Sequence, residues 1–137
     1  MNSSSCAFCE VISGSAPAQI VWTSDEAIAF LDRSPMNPGH LLVVPRTHVA
    51  TLWDLEEPQF IRLLLIVRRL AVSLAEALNV DRAGMAVEGY GVPHAHIHLV
   101  PINGSNELDP CRQSPVSEVD LERMGQLIRD HFSKVIH

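Results

Sequence analysis

The chain has 137 residues, 47% of them hydrophobic, and a formal net charge of −6 at pH 7. Such length and apolar content suit one folded domain and exclude a largely disordered chain. No apolar run approaches the ~20 residues of a membrane span, and an acidic chain without Lys/Arg runs is a poor match for nucleic acid or an anionic membrane. Met1–Cys6 has neither a basic segment nor an apolar core, so it does not read as a secretory signal, and a cytoplasmic location is expected. Three cysteines in a reducing compartment are no disulfide framework, and Cys111 reads as an incidental thiol.

In chain order, Cys6-Ala7-Phe8-Cys9 is a CxxC motif, open to three readings: half a zinc site, a redox pair or chance. Only a short apolar piece ending at Gly14 follows it, which disfavours a thioredoxin-like pair. Two thiolates fill half of a tetrahedral zinc shell, so two more ligands, histidines above all, are expected elsewhere. Gln19–Thr23 and Ala27–Asp32 read as strands about a Ser24-Asp25-Glu26 turn. Arg33–Gly39, with two prolines and a glycine, reads as a loop. His40–Pro45 is a third strand, nearly all apolar and therefore central.

Asp54 is the predicted N-cap of a helix reaching about Asn79, with Pro58 in its first turn. Phe60, Leu63, Leu64, Val67, Leu70, Ala71, Leu74 and Leu78 recur at three- and four-residue steps. The apolar excess between Leu63 and Val67 permits a dimer contact. Gly84–Glu88 is a fourth strand, and Gly89-Tyr90-Gly91 turns it into a hairpin with the next.

Val92–Pro101 carries the densest signal, with histidines at 94, 96 and 98. A strand sends alternate side chains to opposite faces, so the three imidazoles line up on one face while Ala95, Ile97 and Leu99 face a core. Burying three imidazoles together serves stability badly, because each needs partners and resists a neighbouring charge. The row reads as a site: metal, nucleophile or proton shuttle. After a polar loop at Asn103–Asn106, a terminal helix fits Val116 to about Val135, with Ser114 as N-cap and Pro115 first. Leu121, Met124, Leu127, Ile128 and Phe132 form its stripe, weakened by Gly125. The pattern gives an α+β fold, a five-stranded antiparallel sheet with two helices.

Phe30-Leu31-Asp32, Pro35, Gly39-His40-Leu41-Leu42-Val43-Val44-Pro45, His48 and His94-Ala95-His96-Ile97-His98 together resemble the histidine triad (HIT) family, in particular its small Hint-like branch. The resemblance runs from about Cys6 to Pro101. It implies a nucleotide hydrolase or nucleotidyltransferase acting at an α-phosphate, with a purine nucleotide or its conjugate as partner. The candidate conjugates are a phosphoramidate, an aminoacyl-adenylate and a dinucleoside polyphosphate. It implies His96 as nucleophile, forming a nucleotidyl-histidine, and His98 and His40 as donors to phosphate oxygens. Asp32 corresponds to the acceptor of the ribose hydroxyls. Phe8, Val11 and Leu42 correspond to a base pocket, with ordinary core packing as the alternative.

The same resemblance implies a structural Zn2+ on Cys6, Cys9, His48 and His94, and a homodimer whose sheets join. It divides one domain, 1–137, into an N-terminal zinc segment at 1–14, a core at 15–101, and a C-terminal loop and helix at 102–137. The chain departs from the family where Glu88-Gly89-Tyr90-Gly91 replaces a longer glycine-rich loop with amide and hydroxyl groups, and where Ile102 replaces a frequent arginine. Two further readings stand beside the enzyme. A non-catalytic nucleotide-binding or interaction module is favoured by the altered loop. A zinc enzyme using His94, His96 and His98 directly is opposed by the better home that CxxC and His48 offer the metal.

Overall fold

Two-residue alternation along the middle strands decides the architecture. In the computed structural model, which describes residues 6–136, strands β1 (Ile20–Thr23), β2 (Ala27–Leu31), β3 (Leu41–Pro45), β4 (Arg82–Ala86) and β5 (Ile97–Ile102) form one antiparallel sheet in the order β1-β2-β3-β5-β4. The reading of Met1–Ser5 lies outside the described residues. Ala29, Leu31, Leu41, Val43, Ile97 and Leu99 point to one face, where they meet Leu63, Val67, Leu70 and Leu74 of α2 (Glu57–Leu78) and Leu121, Ile128 and Phe132 of α3 (Glu118–Val135). Ile28, Phe30, Leu42 and Val44 point to the other, where Phe8 and Val11 of a short α1 (Ala7–Ser13) cover them. Both faces of β2 and β3 are therefore buried, which is why neither strand alternates with polar residues.

The α+β class and the five antiparallel strands agree with the sequence reading, and the structure adds the third, short helix. Cys6 caps α1, its sulfur accepting from the Cys9 N–H at 3.4 Å, and Gly14 ends it in a left-handed conformation at φ +85°. Asp54 does not cap α2. It closes a capping box with Thr51 around the 3-10 turn Leu52–Asp54, and Leu55 is extended, so α2 begins only at Glu57. The expected cap of α3 also moves: Ser117, not Ser114, accepts the Asp120 N–H at 3.1 Å, because Val116 is drawn aside by its N–H bond to the Arg33 carbonyl. Gly125 is no weakness. A Cβ there would lie 2.8 Å from Gln19 Oε1, so its absence lets α3 close on β1, where Arg129 Nη1 donates to the Ile20 carbonyl at 3.0 Å. β4 lies two residues earlier than expected, ending at Ala86 opposite His98. No helix among the described residues is long and apolar enough to cross a membrane.

Candidate functional site

The histidine segment is only partly a strand. Paired to β3 through Val43↔Ile97, its next partner would set Ala95 against Pro45, which has no N–H to donate. The ladder stops there. Ala95 N–H turns to the Val49 carbonyl at 2.8 Å, and the Pro45 carbonyl accepts from His94 Nε2 at 2.7 Å. The strand expected from His94, just after Pro93, thus begins only at Ile97. The detour joins the segment after β3 to the one before β5, and so brings His48 and His94 together.

The bond to Pro45 puts the His94 proton on Nε2 and leaves the Nδ1 lone pair facing Cys6 Sγ and Cys9 Sγ, each at 3.5 Å. His48 Nδ1 lies 3.2 Å from both Cys9 Sγ and His94 Nδ1. A tetrahedral ion about 2.3 Å from sulfur and about 2.0 Å from nitrogen separates its S–N ligand pairs by about 3.5 Å and its N–N pair by about 3.3 Å. The S–N separations found are 3.2–3.5 Å and the N–N separation is 3.2 Å, close to those spacings. Without a cation the cluster is electrostatically awkward: burial, then Cys6, push the Cys9 thiol up to about 11. Burial also holds His94 below its ordinary value, hence neutral, the form in which it can ligate. The four residues fit zinc in donor type, spacing and tautomer.

Asp32, His40 and His98 also bring ligand-type atoms within 4.8 Å of one another, but their hydrogen bonds form a chain that leaves a metal no place. The Met36 N–H donates to His40 Nδ1 at 3.0 Å, so the proton of neutral His40 sits on Nε2. That Nε2–H donates to His98 Nδ1 at 2.9 Å, which in turn leaves the His98 proton on Nε2. His40 has no lone pair left to offer. Burial pushes it down to about 4 despite the opposing charge of Asp32, and His98 is lowered by burial and then by His96, with Asp32 and Glu88 opposing. Both imidazoles are neutral near pH 7, and the chain ends in a fixed donor on His98.

His96 lies between the two clusters. Its Nδ1–H donates to the carbonyl of His94 at 2.8 Å, leaving the lone pair on Nε2, which no hydrogen bond engages among the described residues. Phe8 meets its ring edge-on at 5.2 Å, and His98 lies at the same centroid distance on another side. The three triad imidazoles share a row as expected, yet they do not converge on one point: the first turns to the cysteines, the last to His40. Phe8, Val11 and Leu42 are all buried beside this row. Asp32 follows β2, with Oδ1 accepting the Ser34 N–H at 2.9 Å and Oδ2 3.7 Å from His40 Nε2. Tyr90 is exposed on the loop before the histidines. Sequence reasoning missed the Met36 N–H and the Pro45 and His94 carbonyls, since backbone groups carry no residue signature. It also missed Gln113, whose polar loop gave no period to read.

Residues 13–104 match the HIT domain family. An uncharacterised HIT-like protein of Saccharolobus solfataricus is 36% identical over 101 residues, 70% of this chain and 73% of that one. An adenosine 5'-monophosphoramidase of Saccharomyces cerevisiae is 28% identical over 131 residues, 95% of this chain and 82% of its own. Among solved structures, a Zn-bound histidine triad family protein from Mycobacterium smegmatis superposes with a TM-score of 0.83 at 29% identity, over 97% of this chain and 96% of that one.

Proposed function

The chain belongs to the HIT family, and from that premise we propose that it is a nucleotide hydrolase or nucleotidyltransferase working through His96. The observation that carries the reading is the tautomer of His96: a carbonyl holds Nδ1–H and leaves Nε2 free as a nucleophile. In the first step a P–Nε2 bond forms at the α-phosphate of a nucleotide conjugate while the bond to the leaving group breaks, the leaving group keeping the electron pair. Water or another acceptor then displaces the imidazole, its proton passes to solvent, and neutral His96 is restored. The His98 Nε2–H donates to a non-bridging phosphate oxygen as charge builds there. His40 is fully buried with both nitrogens engaged, so its expected direct contact with phosphate gives way to a positioning role: it fixes the tautomer of His98.

Asp32 Oδ2 accepts a ribose hydroxyl, and Phe8, Val11 and Leu42 receive the base. Cys6, Cys9, His48 and His94 hold a structural zinc ion, which supplies a rigid cross-link between α1 and the segment before β5. The yeast relative's name makes a nucleoside phosphoramidate the first substrate to try, with an adenylate or a dinucleoside polyphosphate next. We assign residues 1–137 to one domain. A homodimer is proposed too, for which Ile61, Leu65 and Val72 of α2 and Met85 of the edge strand β4 are exposed apolar residues.

The test is hydrolysis of an adenosine phosphoramidate by the wild type and by His96→Ala, with a search for an adenylyl adduct on His96 by mass spectrometry under alkaline quench. Loss of turnover by about three orders of magnitude or more is expected. Equal rates in the two proteins reject His96 as nucleophile, and tight nucleotide binding without turnover by the wild type favours a binding module.

A further inference from the structure

The segment between β5 and α3 does more than connect them. It runs as a strap across the loop that follows β2, with Asn37 Nδ2 donating to Glu107 Oε1 at 2.8 Å, Arg112 Nη2 to Asn37 Oδ1, and the Val116 N–H to the Arg33 carbonyl at 3.3 Å. Within this strap Gln113 is the residue that reaches Asp32. Its Nε2 lies 2.8 Å from the Ser34 carbonyl and 3.4 Å from Asp32 Oδ2. Both of those atoms are acceptors, so the amide can face them only with its NH2 end, and the carbonyl Oε1 must point the other way. Oε1 makes no hydrogen bond among the described residues.

Asp32 is only half satisfied. Its Oδ1 is taken by the Ser34 N–H at 2.9 Å, but Oδ2 has two donors at long range, Gln113 Nε2 at 3.4 Å and His40 Nε2 at 3.7 Å. The His40 proton is already committed to His98 at 2.9 Å. A neutral N–H···O bond is best near 2.9 Å and weak beyond 3.4 Å, so Oδ2 keeps accepting capacity. With its side chain 16% exposed, it is open to a ligand. The free Oε1 belongs to the amide whose Nε2 lies 3.4 Å from Oδ2, on the side away from that oxygen, and its plane is already fixed by Ser34. Two acceptors flanking one amide NH2, one charged and one neutral, suit a pair of hydroxyl donors better than a single one.

Resting on the reading of Asp32 as the sugar acceptor, we propose that Gln113 is a specificity-determining residue of the same subsite, accepting the second hydroxyl of a vicinal diol through Oε1 and so selecting ribonucleotides over 2′-deoxyribonucleotides. The amide is oriented before the ligand arrives, so little rotamer freedom is lost on binding. The strap thus joins the C-terminal part of the chain to substrate choice, although it stands far in sequence from the histidines.

The experiment is calorimetric titration of the full chain with adenosine 5′-monophosphate and with its 2′-deoxy analogue, for wild type, Gln113→Leu, Arg112→Ala and Asp32→Asn. Gln113→Leu should lower the ribo-over-deoxy affinity ratio about fivefold, the size of one neutral hydrogen bond. Arg112→Ala, which cuts another tether of the strap without touching Asp32, should leave the ratio where the wild type has it. An unchanged ratio in Gln113→Leu overturns the inference, and so does an equal fall in Arg112→Ala, which would mean that loosening of the strap is the cause. Asp32→Asn separates the two readings. If it weakens the ribonucleotide while Gln113→Leu does not alter the ratio, only the role of Gln113 fails; if it weakens neither nucleotide, the sugar reading of Asp32 fails with it.

Discussion

Acidification should destabilise this protein through His40 before most carboxylates titrate. Burial places His40 at about 4 instead of the ordinary 6.5, and the Met36 N–H pointing at Nδ1 adds to the effect, because a protonated ring would set N–H against N–H. Above pH 6.5 neither the folded nor the unfolded chain holds this proton. Between pH 6.5 and pH 4 the unfolded chain binds it and the native one does not, so stability falls as pH falls through that window. A displacement from 6.5 to about 4 is worth about 3 kcal/mol, of which about 2 kcal/mol is lost between pH 7 and pH 5. Urea titrations at saturating zinc, followed by the fluorescence of Trp22 and Trp53, should show the wild-type midpoint dropping by about 1 M over that range. His40→Gln, which has nothing to titrate there, should show a shallower pH dependence whatever its absolute stability. Direct 15N observation of the wild-type imidazole should find the Nε2–H tautomer, uncharged at pH 5. Parallel pH slopes for the two proteins, or a His40 that protonates near 6.5, would refute the reasoning.

Gly39 sits at φ +91° immediately before His40, and a Cβ there would clash with Leu78 Cδ1 and lie 3.2 Å from Pro101 Cγ; Gly39→Ala should cost about 2–4 kcal/mol by the sum of left-handed strain and overpacking, read from urea unfolding. Ser117→Ala should lose about 1 kcal/mol and Ser114→Ala almost nothing, since only the former removes a cap. Stripping zinc with a strong chelator should lower the melting temperature, one equivalent of zinc should restore it, and Cys9→Ser should bind zinc much more weakly in a competition titration. No change in melting temperature on chelation would count against a structural ion.

Legibility in the sequence followed the physics of each signal. Alternation identified the two faces of the histidine segment and a continuous apolar run marked β3 as central, because burial on both sides writes apolar runs and one-sided burial writes a period of two. Spacing identified α2 and α3, whose buried residues recur at steps of four, three and four. The ends were harder. Asp54 and Ser114 are both good caps by residue type, but Leu55 is extended after the first and the strap pulls the chain away from the second. Pro45 is the instructive case: it looked like the end of a strand and nothing more. By withholding an N–H it also ends the β3–β5 ladder early and frees the histidine segment to bend towards His48. Side chains with a chemical signature, Cys6, Cys9, His48 and His94 among them, could be grouped through the family resemblance. The donors and acceptors that fix each imidazole could not, because most of them are peptide groups whose positions exist only in the fold.

His94 shows why the Cys6, Cys9, His48 and His94 cluster and the free imidazole belong to one device. Its ring is fixed by the Pro45 carbonyl on one nitrogen and turned to the cysteines on the other, while its own carbonyl is the acceptor that holds the Nδ1 proton of His96. Moving the His94 backbone would therefore release the tautomer of its neighbour. An ion clamping the ring to Cys6, Cys9 and His48 opposes that motion at a point two residues from the proposed nucleophile. Chain connectivity alone would not: the segment from His94 to His96 lies outside the sheet ladder, and apart from the local His94–Val92 bond its backbone is tied by the Ala95–Val49 bond. With an ion bound, Cys6 and Cys9 would supply stiffness where the sheet, interrupted at Pro45, does not.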